Sequence, residues 1–165
     1  MKGFTLLETL VYIALFTILI GGAVVGAYNL FEAAERGGTR VMLQEETDFL
    51  IAKVNWALSG AQAVTAPGVG TTGSALTVAK WDTSIGNPVV VAQNGTNLTL
   101  SKGGGSPAVL NNTNVFVTAF TVTHTEGSGD GITPESVEAS VTLSARTPTG
   151  SLVMRQATTT VYLRK

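Results

Sequence analysis

Three kinds of text follow one another along the chain, told apart by the spacing of apolar and polar positions. From Thr9 to Phe31 no side chain is charged, and the run is bounded by Glu8 before it and Glu32 after it. A stretch of more than about 18 such residues reads as a membrane-spanning helix, because roughly 20 residues rising 1.5 Å each cross the hydrocarbon. Residues 9–31 meet that length. Further on, Leu43, Glu46, Phe49, Leu50, Lys53, Val54, Ala57 and Leu58 place apolar residues three and four positions apart, which predicts an amphipathic helix. Its buried stripe is expected to be Phe49, Leu50, Val54 and Leu58. Between the two lies Arg36-Gly37-Gly38-Thr39. Each glycine opposes helix by about 1 kcal/mol relative to alanine, so a bend, fray or melted turn is expected there.

From Ser59 onward the chain is rich in Gly, Thr, Ser, Asn and Val, the text of strands and turns. Short strands are predicted at Leu76 to Trp81, Val89 to Gln93 and Leu98 to Lys102, the last two joined by Asn94-Gly95-Thr96-Asn97. Asn-Gly is a strong hairpin signal. After Gly103-Gly104-Gly105-Ser106-Pro107, a strand over Val115 to Thr125 would set Phe116, Phe120 and Val122 on one face, with Val117 and Ala119 on the other. The clearest alternation follows. Val137, Ala139, Val141, Leu143 and Ala145 point one way, and Glu138, Ser140, Thr142, Ser144 and Arg146 the other. Its partner is Leu152 to Leu163, across Thr147-Pro148-Thr149-Gly150, with Ala157, Thr159, Val161 and Leu163 on one face. The fold class is therefore α+β: a long apolar N-terminal helix whose C-terminal part packs on an antiparallel meander.

Glu8 stands at the head of the apolar helix, where a carboxylate is costly unless partnered, and so asks for a cation. A cut after Gly3 would create one, by freeing the amino group of Phe4. Positions 4 and 8 share a helix face. The string Gly3-Phe4-Thr5-Leu6-Leu7-Glu8 resembles the processing site of type IV prepilins and of the pseudopilins of type II secretion and DNA-uptake systems. The resemblance implies a prepilin peptidase that cuts after Gly3 and methylates Phe4, with Glu8 neutralising the amine of a neighbouring subunit during assembly. The further partners it implies are other pilin or pseudopilin subunits, an inner-membrane assembly platform, and lipid before assembly. No proline interrupts the apolar run, whose only helix weakeners are Gly21, Gly22 and Gly26, and this leans towards a minor or pseudopilin-like subunit. Phe120-Thr121-Val122, the turn Gly127-Ser128-Gly129-Asp130-Gly131, the segment Pro134 to Leu143 and Val161-Tyr162-Leu163-Arg164-Lys165 resemble the tail of minor pilins and J-type pseudopilins. The implied organisation is a leader at 1–3, a transmembrane and filament-core helix at 4–31, a linker and amphipathic helix at 32–60, and a β-domain at 61–165. With Lys2 ahead of the anchor, the C-terminal part is expected on the exported side of the inner membrane, in a surface or periplasmic filament after assembly.

Composition narrows the function further. The net charge is −1, and Lys53, Lys80, Lys102, Arg146 and Arg155 are scattered singly, so no basic stripe exists to neutralise nucleic-acid phosphates. There is no cysteine, hence no disulfide and no thiolate chemistry. His124 is the only histidine; no two-histidine zinc site can form within one chain, and a satisfied or solvent-facing strand histidine is the expectation. Asp130, with Glu126 and Glu135 nearby, does not follow the spacing of a calcium loop, and a plain polar turn is preferred. Gly103-Gly104-Gly105 lacks the Lys-Ser/Thr and the helix of a phosphate loop. Trp56 and Trp81 are expected to pack in the core or on the stalk. No catalytic residue, cofactor or metal is assigned, and the chain is not expected to be an enzyme. Two functions compete: a structural filament subunit, and a membrane-anchored β-domain that binds a surface or secreted ligand without assembling.

Overall fold

A computed structural model describes residues 5–128 and 133–163. The chain forms two compact units, Met1–Gly38 and Thr39–Lys165. Helix α1 runs over Leu6–Leu58 and is unbroken by hydrogen-bond pattern at Gly37 and Gly38, so the expected fray or melted turn is not present. The residues before the glycine pair explain this. Ala33, Ala34, Glu35 and Arg36 are strong helix formers, and Arg36 donates to Glu32 one turn earlier at 2.6 Å, offsetting part of the glycine cost.

Among the described residues of the first unit, the apolar side chains of the helix are exposed. Leu6, Leu10, Ile13, Phe16, Ile18, Leu19, Leu30 and Phe31 are all more than half exposed. Burying each such side chain is worth about 1.5–3 kcal/mol, so this surface strongly favours lipid or other helices over water. Its hydroxyls suit that environment: Thr9 Oγ1 donates to the Leu6 carbonyl at 2.9 Å and Thr17 Oγ1 to the Ile13 carbonyl at 2.8 Å.

The second unit contains the helix from Thr39 onward and two antiparallel sheets. The first sheet comprises β1 (Ala61–Ala66), β3 (Ala75–Lys80), β4 (Val89–Asn94), β5 (Asn97–Lys102) and β6 (Ala108–Val109), in that order. The second comprises β2 (Thr72–Gly73), β7 (Phe116–Thr125), β8 (Ser136–Arg146) and β9 (Leu152–Tyr162). Strands β3, β4, β5, β7, β8 and β9 lie where the alternation puts them. The single meander is corrected to two sheets, with β1, β2 and β6 as additional edges. The hairpin at Gly95-Thr96 closes on the pair Asn94 and Asn97. Gly95 has φ +60 and Thr96 does not have positive φ, the arrangement of a type II′ turn.

One core joins helix and sheets. Leu43, Thr47, Leu50, Val54, Ala57 and Leu58 form the buried stripe of the helix, and the Thr47 hydroxyl donates back to the Leu43 carbonyl. Phe49 is not part of it: it is 43% exposed, with Lys53 Nζ 5.1 Å above its ring. On β8, Val137, Ala139, Val141, Leu143 and Ala145 are all buried, as their alternation requires. On β7 the expected faces hold for Ala119, Phe120 and Val122 and are exchanged for Phe116 and Val117. Val117 is buried and Phe116 is 42% exposed, yet Phe120 is buried as well. The cause is a bulge: Val117 pairs with Leu143 and Ala119 with Thr142, which leaves Thr118 as an extra residue and shifts the alternation by one.

The β4–β5 hairpin meets β7 where β2 is too short to cover it. β2 pairs only with Thr123 and Val122. Beyond it, the Gln93 carboxamide accepts from the Phe120 N–H at 2.9 Å and donates to the carbonyls of Gly95 and Val117 at 3.0 and 3.3 Å, while Val117 N–H donates to the Thr96 carbonyl at 2.8 Å. Gln93→Ala strips these groups of their partner and is expected to lower stability by about 1–3 kcal/mol. The readout is the urea midpoint of the full chain in detergent; an unmoved midpoint would show that solvent replaces the amide without cost.

Candidate functional site

The candidate site is built from the first turns of α1. Thr5 precedes the helix and acts as its cap: its side-chain oxygen accepts from Glu8 N–H at 3.3 Å, and its carbonyl accepts from Glu8 and Thr9 N–H at 3.1 and 3.2 Å. Thr5-Leu6-Leu7-Glu8 thus has the spacing of a capping box. Glu8 also places negative charge beside the positive end of the helix dipole. One turn on, the Tyr12 hydroxyl donates to Glu8 Oε1 at 3.3 Å. Tyr12 is the site residue that pattern reading missed; its signal was the i, i+4 spacing from Glu8.

Glu8 is therefore partly satisfied within its own helix, by a neutral donor and not by a cation. The hydrogen bond saturates one direction of the carboxylate but leaves its charge uncompensated among the described residues. Gly3 and Phe4 lie outside the described residues. At Gly21, Gly22 and Gly26 an added Cβ would meet nothing within 4 Å. Among the described residues, nothing requires glycine at these positions.

The other singled-out residues have structural settings. His124 is 1% exposed, with Nδ1 3.1 Å from the Pro67 carbonyl and Nε2 2.7 Å from Glu135 Oε1. It is a satisfied core histidine, and Glu135 provides the carboxylate that sequence proximity did not reveal. Glu135 is engaged in this contact, and Asp130 lies outside the described residues. Trp56 is half-buried, whereas Trp81 is 71% exposed and does not pack in the core.

Lys80 is the unexpected buried cation. It is 4% exposed, and its ammonium donates to the carbonyls of Trp56 and Ser59 at 2.6 and 2.9 Å. These carbonyls end α1, whose last turn has no basic residue of its own. Lys80 Nζ and Lys102 Nζ lie 4.1 and 4.7 Å from the centroid of the Trp56 ring. Burial pushes the Lys80 amine below its ordinary range, and the nearby Lys102 charge adds to this against the opposing pull of Asp82. The backbone of Lys80 is clasped by Asn87, which accepts from its N–H and donates to its carbonyl, both at 2.8 Å.

A helix long and apolar enough to cross a membrane, headed by a capped carboxylate, is thus the feature that carries chemistry beyond folding. No curated protein and no solved structure matches the chain. Residues 1–24 match the family model of the prokaryotic N-terminal methylation motif, which supports a membrane-anchored, type IV pilin-like protein.

Proposed function

We propose that the chain is a minor structural subunit of a type IV pilus or of a type II secretion or DNA-uptake pseudopilus. A prepilin peptidase cuts it after Gly3 and methylates Phe4, and it assembles through its N-terminal helix. The observation that carries this reading is the methylation motif at residues 1–24, at the head of a helix whose apolar side chains are exposed among the described residues. In the membrane, lipid covers that surface. In a filament the helices of other subunits replace the lipid, and Gly21, Gly22 and Gly26 support their close approach, since small residues let backbones come together. Phe4 and Glu8 set the register between subunits. Residues 1–3 are the leader, 4–31 the core helix, 32–60 the connecting and amphipathic segment, and 61–165 the outward β-domain.

The test is the intact mass and N-terminal peptide of the protein, taken from membranes with and without a prepilin peptidase. The expected product begins at N-methylated Phe4 only when the peptidase is present. Gly3→Val is expected to abolish that product, because the peptidase reads a small residue before the cut. A chain that still begins at Met1 in both membranes overturns the reading and leaves an anchored β-domain with a ligand of its own.

A further inference from the structure

We propose that the free edge of β9, with the arginine-lined groove at its beginning, docks an extended, carboxylate-bearing segment of a different protein. The inference does not depend on processing or filament assembly. It starts from the sheet edges. β9 is last in the order β2-β7-β8-β9 and pairs with β8 at every position from Leu152 to Tyr162, without a bulge. Its other edge bears no strand among the described residues, so half of its N–H and C=O groups point outward.

Edges left open are usually protected by shortness, bulges, proline or charge. The other three edges follow that rule. β2 and β6 have two residues each, and β1 carries two register shifts against β3. β9 has eleven residues, no proline and a single charge, Arg155. It is a pairing template that the fold has left uncovered.

The groove supplies chemical selectivity. Its volume is about 330 Å³, and Arg40, Val41 and Gln44 of the helix face Val153, Met154 and Arg155 of β9 across it. Arg155 Nε is fully buried and has no hydrogen-bond partner, and neither arginine is in an ion pair among the described residues. Three acids elsewhere have partners of their own: Glu32 pairs with Arg36, Glu135 with His124, and Glu46 accepts from the Asn112 N–H at 2.7 Å. Two guanidinium groups between apolar walls match a carboxylate, which accepts paired N–H donors. An extended peptide would use both features at once, its main chain pairing with β9 and its acidic side chain entering the groove. A lipid phosphate can meet the arginines but has no use for the β9 edge. A second copy is also disfavoured. Its other edges are short or bulged, and two β9 strands paired antiparallel about Ala157 would set Arg155 opposite Thr159, with no carboxylate supplied.

The experiment titrates full-length protein in detergent micelles with a fluorescent, end-blocked peptide of alternating threonine and valine around a central glutamate. Saturable binding is expected. It should weaken at least about tenfold when the glutamate becomes lysine, when alternate peptide nitrogens are methylated, and in the Arg40→Gln and Arg155→Gln variants. Arg40 is exposed on the helix, so its variant keeps the test valid if Arg155→Gln disturbs the fold. No saturable binding, or equal binding of the lysine or N-methylated peptide, overturns the proposal. So does self-association that competes with the peptide, which would assign the edge to a second copy. Arginine-dependent binding to phosphatidylglycerol vesicles without peptide binding would assign the groove to lipid and equally overturn it.

Discussion

Glu8→Ala is expected to reach the membrane and to be processed like the parent chain, yet to enter assembled filaments about a hundredfold less or lower still. If Glu8 neutralises the Phe4 amine of a neighbouring subunit, the variant leaves that amine buried and unpaired. Breaking a buried charge pair from one side costs about 3–5 kcal/mol. Each 1.4 kcal/mol is tenfold in an association constant, which sets the scale of the loss. The measurement is the ratio of the chain in sheared filaments to the chain in membranes, by quantitative immunoblot. Equal ratios for variant and parent would remove Glu8 from assembly.

Two companion variants separate charge from helix capping. Glu8→Gln keeps an oxygen for the Tyr12 hydroxyl, now at 3.3 Å from Oε1, and removes only the charge. It is expected to fail as Glu8→Ala does. Normal assembly of the glutamine variant would mean that the hydrogen bond, and not the charge, is what assembly requires. Tyr12→Phe removes the hydroxyl alone. Since the bond is worth about 0.5–1.5 kcal/mol, its effect on incorporation should stay near or below about tenfold.

Periodic features were the ones legible in the chain. The five inward residues of β8 are buried because an uninterrupted two-residue period admits one solution, and a slip by one would put all five in solvent. The methylation motif was legible for a different reason, as a short contiguous string. What escaped were interactions between residues distant in sequence. Thr118 looks like any strand threonine, yet it is the extra residue that exchanges the faces of Phe116 and Val117 at the start of β7, and nothing local marks it. Gln93 reads as the polar end of a hairpin strand, but its amide is consumed by β7, which begins beyond a long loop. Phe49 reads as part of the helical stripe because it is apolar and falls in the series of three- and four-residue spacings from Leu43 to Leu58. The 3-4 spacing of Leu43, Thr47, Leu50 and Val54 puts it to one side, and a threonine takes the buried position instead. Tyr12 was legible in principle: a hydroxyl one turn from a carboxylate in an apolar helix is a local pattern that rests on spacing alone.

Lys80 shows the same limit with the largest consequence for stability. In sequence it is one of several scattered cations, while in the fold it ends the helix from another element. Lys80→Met is expected to destabilise the protein by about 2–3 kcal/mol. Each hydrogen bond from a charged donor is worth about 1.5–3 kcal/mol, and relief of the desolvated charge returns part of the loss. The two carbonyls, of Trp56 and Ser59, lose the ammonium that now meets them at 2.6 and 2.9 Å. The pH dependence gives the variant a second signature. Burial lowers the Lys80 pKa in the folded state below its ordinary value of 10.5, so in the window between the two the unfolded chain holds a proton that the folded chain has released. The pH-dependent part of this group's contribution therefore rises as pH climbs through that window, is complete above 10.5, and is lost as pH falls through the folded value, where the hydrogen bonds of the ammonium remain as the pH-independent part. Comparison with Lys80→Met cancels the other titrating groups to first order. The stability gap between parent and variant should widen with pH towards 10.5. A gap that is large but flat would mean that the amine keeps its ordinary affinity for protons beside Trp56. A gap near zero at every pH would mean that the helix end does not need Lys80 at all.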